Sequence, residues 1–150
     1  HTAGAEHAAA IPCLETEEDG REAPEAHLLR LVNRDRERLG LSPLKRSNPL
    51  SRSADEHAAH MAKTGFAAHV PPGGDPPVHR VATFAIETER FHENVAMASS
   101  VAQAHTDLWA SPSHRRALLD PVINQIGVGI QTVQTEGGPI HFVVQHLARL

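Results

Sequence analysis

Apolar residues recur at helical spacing from Pro24 onward. In PEAHLLRLVNRDRERLG they place Leu28, Val32 and Leu39 on one face, with Pro24 in the first turn and Gly40 as the stop, which predicts a first helix. Leu41-Ser-Pro-Leu44 reads as a short apolar connector that docks back on the core, and Ser47 or Asn48 before Pro49 reads as a cap. The second helix, PLSRSADEHAAHMAKTG, carries Leu50, Ala54, His57, Ala58 and Met61 on one stripe and ends at Gly65. His57 on that stripe is expected to be a hydrogen-bonded core residue beside an edge His60, because no third ligand lies near the pair in sequence.

The pattern then breaks. Phe66 to His69 leaves the helix and enters VPPGGDPP, whose Pro and Gly content predicts a long loop with His69 at its mouth. Val78 to Glu87 predicts a short helix, in which Arg80 pairs with an acid or caps a carbonyl. In FHENVAM the alternation of Phe91, Val95 and Met97 predicts a strand with Glu93 on the same face as those apolar side chains. Ser100-Val-Ala-Gln103 is a capping box opening a helix through Val101, His105, Leu108 and Trp109. Ser111-Pro112 opens another, so that His114 falls in its first turn. The chain closes on two β-branched runs, 126–135 and 139–148, joined by Glu136-Gly137-Gly138 as an antiparallel hairpin. Gly127 and Gly129 alternate in its first strand, as they would where another element approaches closely.

Composition narrows the possibilities. With 150 residues, 40% of them apolar, the chain suits one domain, expected over residues 24–150 behind an acidic, Ala-rich flexible arm over residues 1–23. Residues 1–26 carry seven acids and one base, whereas the rest carries 13 bases and 11 acids. No basic stripe with interleaved aromatics remains, so nucleic acid is not an expected partner, and no apolar run is long enough to span a membrane. The single Cys13 lacks an internal partner and reads as an inert tail thiol. A monomer is expected.

Twelve histidines raise the prospect of metal or pH-dependent chemistry and also make chance pairs common. Three polar residues stand out against apolar neighbours: His69, Glu93 and His114. Glu93 in its apolar segment needs donors, which could be backbone N–H groups or side chains. His114 faces the positive end of a helix dipole, which disfavours its protonation and leaves a neutral imidazole. In the last strand His141 and His146 lie on opposite faces, with structural or exposed roles expected. Arg115 and Arg116 are expected to serve solvent or carbonyls at a helix C-terminus.

The run LLRLVNRDRERLGLSPL, then LSRSADEHAAHMAKTGFAAH, HENVA, LWASPSHRRALLDP, IGVGI and HFVVQHLA resembles the CAP superfamily (cysteine-rich secretory proteins, antigen 5, pathogenesis-related plant proteins) over roughly residues 26–148. It is most similar to the disulfide-free bacterial branch of SCP-like, or YkwD-like, domains. The resemblance implies an α+β fold, an αβα sandwich with a small antiparallel sheet between helices. It also implies a cleft holding His69, Glu93 and His114, with Asn94 in a structural role beside Glu93. Two positions depart from the pattern: Pro112 stands where eukaryotic members generally carry a second Glu, and His92 where the family usually has Gly. An extracellular or cell-envelope location is likewise what the resemblance implies.

Two imidazoles and a carboxylate suffice for Zn²⁺ or another divalent cation with an open position, so His69, His114 and Glu93 are the candidate metal ligands. The same three are the candidate catalytic residues. The chain lacks an HExxH pairing, a Ser or Cys nucleophile set beside a base, and a second carboxylate to shuttle protons. The first expectation is therefore a secreted or envelope-associated binding module for a small molecule, lipid or envelope component. A metal-dependent hydrolase and a purely structural His/Glu cluster are the alternatives.

Overall fold

A computed structural model describes residues 22–70 and 77–150, and within it the side chains of residues 78–80 are not described. Residues 1–21 of the expected arm, Cys13 among them, and most of the Pro/Gly loop lie outside the described residues, as does the side chain of Arg80. The elements in order are α1 (Pro24–Arg38), β1 (Lys45–Arg46), α2 (Asn48–Thr64), α3 (Pro77–Ala82), β2 (Phe91–Ala98), α4 (Val101–Ala110), α5 (Pro112–Leu118), β3 (Gln125–Thr135) and β4 (Gly138–Ala148). The strands form one sheet in the order β1-β3-β4-β2, so β2, which carries Glu93, is an edge.

Three of these strands are antiparallel, and the two-residue β1 adds a short parallel pairing to β3 that the apolar connector did not disclose. The sheet lies between two helical layers, an α+β sandwich. On one face Ala54, Ala58 and Met61 of α2 pack on Phe142 and Val144. On the other Leu28 and Val32 of α1, Leu108 and Trp109 of α4, and Leu118 after the first turns of α5 pack on Ile126, Val128, Val143 and Leu147. The strand period of two sends alternate residues of β3 and β4 to each layer.

Gly127 and Gly129 fix how closely α2 sits. A Cβ added at Gly127 would lie 2.0 Å from the backbone carbon of Leu50, and one at Gly129 would lie 2.4 Å from that of Ala54. The helix backbone thus rests directly on the strand, with no side chain between. The ends of α2 hold it in place: the Ser47 hydroxyl accepts from Leu50 N–H at 3.2 Å, and Gly65 closes the helix at φ +80°.

Three expectations need correction. Leu39 leaves the buried face, because α1 ends at Arg38; Leu31, Asp35 and Arg36 are buried in its place. The helix expected over Val78–Glu87 is confined to Pro77–Ala82, and the chain turns at Ala85 (φ 59°) to bring Ile86 onto Leu50. The capping box at Ser100 is half made: the hydroxyl takes the Gln103 N–H at 3.0 Å, but the Gln103 amide reaches forward to Asp107.

Two buried charges brace the second layer. Asp35 accepts from His105 Nε2 at 2.7 Å, joining α1 to α4. Burial alone would raise the Asp35 pKa, but the hydrogen bonds and charges of His105 and Arg34 outweigh it and hold the carboxyl below its usual range. Arg36 donates to three carbonyls, those of Ser42 (2.9 Å), Leu118 (2.8 Å) and Asp120 (3.1 Å), and so ties the turn after α5 to α1.

Candidate functional site

The site is built around Glu93. Its position in β2 turns the side chain toward the α2 layer, and the antiparallel register sets Glu93 directly opposite His146 of β4. The carboxylate is almost wholly buried, 2% exposed, so its oxygens need donors from the protein. His146 Nε2 donates to Oε2 at 2.7 Å, and His69 Nδ1 donates to Oε1 at 3.0 Å. His57 Nε2 lies 3.9 Å from Oε1 while donating to the Ala68 carbonyl at 2.8 Å, which holds the chain leading to His69. These partners are imidazoles, the side-chain alternative for satisfying Glu93.

His146 is itself fixed from behind. In its neutral form, with Nε2 protonated toward Glu93, Nδ1 accepts the Ser53 hydroxyl at 2.6 Å, and Phe91 meets the ring edge-on at 5.1 Å. Ser53 and His57 are four residues apart on α2 and so share a helix face. The result is a buried chain, Ser53–His146–Glu93–His69, running from the helix out to a half-exposed imidazole. Ser53 has no exposed surface, so its hydroxyl serves as a donor within the core rather than as an accessible nucleophile.

His114 reaches the same region from the opposite layer. The Ser111 side chain makes no cap hydrogen bond to a backbone N–H of α5; its hydroxyl lies instead 2.9 Å from His114 Nδ1 and orients the ring. The backbone is held as well, because Asn94 Nδ2 donates to the His114 carbonyl (3.3 Å) and to Gln145 Oε1 (3.1 Å). Asn94 therefore has the structural role expected of it. Burial, and then the nearby charge of His69, lower the His114 pKa, so this imidazole is neutral, as the helix position suggested, but chiefly through desolvation. Arg115 caps the Trp109 carbonyl at 2.9 Å.

His69 and Glu93 are thus in direct contact, and His114 lies near enough for the charge of His69 to help lower its pKa. His146, for which a structural or exposed role was expected, proves integral to the site. Its only signal in the sequence was its face of β4; the β2–β4 register that sets it opposite Glu93 is a long-range pairing. His57 is buried and hydrogen-bonded, as its stripe predicts. His92, at the family's usual Gly position, turns away from Glu93 and donates from Nε2 to Asp120 at 2.8 Å.

For a metal, the donor set is mixed. Among the described residues no group of three or more His, Cys, Asp or Glu is arranged to hold an ion. Glu93 spends both oxygens on imidazoles. Donation from His69 Nδ1 leaves the lone pair of that ring on Nε2, the arrangement in which a carboxylate orients a metal-ligating His. His114 is a second imidazole in the same region, and among the described residues no complete protein cage is formed.

A model of the cysteine-rich secretory protein family, CAP, matches residues 29–147. The chain is 30% identical to the uncharacterized protein YkwD of Bacillus subtilis (strain 168) over 108 residues, covering 71% of this chain and 42% of that protein. It therefore spans less than half of that relative. The fold is similar to an extracellular protein containing a SCP domain from Bacillus anthracis (TM-score 0.74, 22% identity, 85% of this chain and 40% of that one). It is also similar to an outer surface protein from Borrelia burgdorferi (TM-score 0.69, 23% identity, 82% and 90%). Among the described residues no helix is long and apolar enough to cross a membrane.

Proposed function

Because the chain belongs to the cysteine-rich secretory protein (CAP) family, we propose that it is a secreted or envelope-associated binding module whose cleft at the β2 edge engages its ligand through His69, Glu93 and His114. The observation that carries this reading is the saturation of Glu93. A carboxylate that accepts an imidazole N–H on each oxygen is a positioning group, not a base waiting for a proton. The half-exposed His69 and the neutral His114 are the groups left to meet a ligand, one from each layer. The extracellular and outer-surface descriptions of the structural relatives support the proposed location.

A divalent cation such as Zn²⁺ is the ligand class the two imidazoles suit best. His69 and His114 would hold it, and Glu93 would keep the His69 ring in the tautomer that ligates. Such a cation supplies Lewis acidity, and two imidazoles without a protein cage make an exchangeable site rather than a structural one. What the chain itself contributes is orientation: His146 and Ser53 fix Glu93, Glu93 fixes His69, and Ser111 fixes His114.

Equilibrium dialysis against Zn²⁺ tests this, with bound metal counted per chain for wild type, His69→Ala, His114→Ala and a His141→Ala control. His141 bonds Thr132 on the far hairpin and lies outside the cleft. Loss of one equivalent in the two cleft variants and not in the control is the expected result. Equal uptake by all four proteins would defeat the metal assignment, and metal-dependent ester or peptide cleavage by wild type would favour the hydrolase alternative.

A further inference from the structure

We propose that a second site, separate from the His69/Glu93/His114 cleft, binds a phosphate-class oxyanion in the groove between the start of β2, α5 and the turn that follows it. The groove has a volume of about 460 Å³ and is lined by Arg90, His92, Arg115, Arg116, Leu119 and Asp120 among others. Three guanidinium charges there face one carboxylate. Arg115 donates to a neutral carbonyl, that of Trp109, so its charge is not cancelled. Arg116 is exposed and makes no side-chain hydrogen bond or ion pair with the described residues.

The single acid is turned inward and used up. Asp120 is buried; its Oδ1 accepts the Val122 N–H at 2.9 Å, and its Oδ2 accepts both Arg90 Nε at 2.6 Å and His92 Nε2 at 2.8 Å. With Asp120 so engaged, Arg90, which lines the groove, keeps its terminal nitrogens as donors that the carboxylate does not take. Its carboxyl is held well below the usual range by the Arg90 hydrogen bond, against the effect of burial, and then by His92 and Val122. Arg36 behind it, bonded to the Leu118 and Asp120 carbonyls, fixes the turn and adds another cation beneath the floor.

Guanidinium groups suit tetrahedral and planar oxyanions because two parallel N–H bonds can reach two oxygens at once. Leu119 and the prolines at positions 112 and 121 give the groove apolar wall beside that cationic end, so the anion can be the head of a larger molecule. A soluble phosphate ester and an anionic lipid headgroup present the same chemistry.

The test uses the intact chain with three substitutions: Arg116→Ala, Arg116→Glu, and Arg52→Ala on the exposed face of α2 as control. Inorganic phosphate and glycerol phosphate are titrated by NMR, and vesicles of phosphatidylglycerol or phosphatidylcholine are assayed by flotation. Arg116 has no partner among the described residues, so its variants should fold as wild type does. Phosphate affinity falling by about tenfold or more in both Arg116 variants, with Arg52→Ala unchanged, supports a soluble ligand. Selective loss of phosphatidylglycerol binding in those variants supports the headgroup. Binding of neither probe, or equal binding by all the proteins, overturns the proposal.

Discussion

Glu93 is held by two imidazoles whose surroundings differ sharply, and removing each in turn tests whether burial decides their weight. His146 has no exposed side-chain surface, whereas His69 is 50% exposed. In His146→Ala the buried carboxylate loses the donor to Oε2, and leaving a buried charged acceptor unsatisfied costs about 3 kcal/mol or more. The lost edge-on contact with Phe91 adds about 0.5–1.5 kcal/mol. The Ser53 hydroxyl, released from Nδ1, turns its one proton to the Leu50 carbonyl 3.0 Å away, so no orphaned hydroxyl is created. A loss of about 4 kcal/mol is a large share of the roughly 5–15 kcal/mol that stabilises a domain. In His69→Ala water replaces the donor, and the loss should stay below about 1 kcal/mol. For a chain of this length each kcal/mol moves Tm by about 2–4 °C, so the expected drops are about 8–16 °C for His146→Ala and less than about 4 °C for His69→Ala. Thermal melts by circular dichroism with EDTA present, checked by urea titration for an unchanged m-value, read the difference. Equal losses, or a His146→Ala loss under about 1 kcal/mol, would refute the view of His146 as the anchor and His69 as the working face.

Gly127→Ala should destabilise by at least about 3 kcal/mol in urea, because its new carbon must push the Leu50 backbone away rather than a flexible side chain; a change within about 0.5 kcal/mol would show that α2 yields easily. The His114 ring should titrate by NMR below the ordinary value of about 6.5, and His69→Gln should move it partway back up. Since its folded pKa is the lower one, the unfolded chain binds the extra proton, and stability from this group is present above about pH 6.5 and declines as pH falls through that value; a His114→Gln variant should lose that slope. Asp35, with its folded pKa lowered, contributes stability above about pH 3.9 that disappears as pH falls through the folded value. His105→Gln should therefore unfold in acid at a higher pH than wild type, and an unchanged midpoint would show that His105 does not hold Asp35 ionised.

The helices, the hairpin and the close approach over Gly127 and Gly129 were legible because each rests on local spacing: the α2 stripe, the Ser47 and Gly65 ends, and alternation in 126–148. His69 and Glu93 were legible as a pair through the motif resemblance and through a carboxylate standing in an apolar strand. What stayed hidden depends on long-range register. His146 enters only because β2 and β4 align Glu93 with it, and Ser53 only because α2 settles low enough on β3 to touch that ring. The same holds for Asp35 with His105 and for Arg36 with the turn at Asp120, charges whose partners lie 70 or more residues away. The Ser111 hydroxyl, read as a helix cap, serves the His114 ring because Pro112 already starts the helix without it.

The two glycines under α2 also decide which wall of the cleft can give. A helix seated on bare backbone has no side-chain cushion to compress, so Ser53 and His57 stand at a fixed height. His69, by contrast, hangs from the segment beyond Gly65. Any adjustment around Glu93 therefore falls to residues 66–70 beyond the helix end rather than to the α2 face that carries Ser53 and His57.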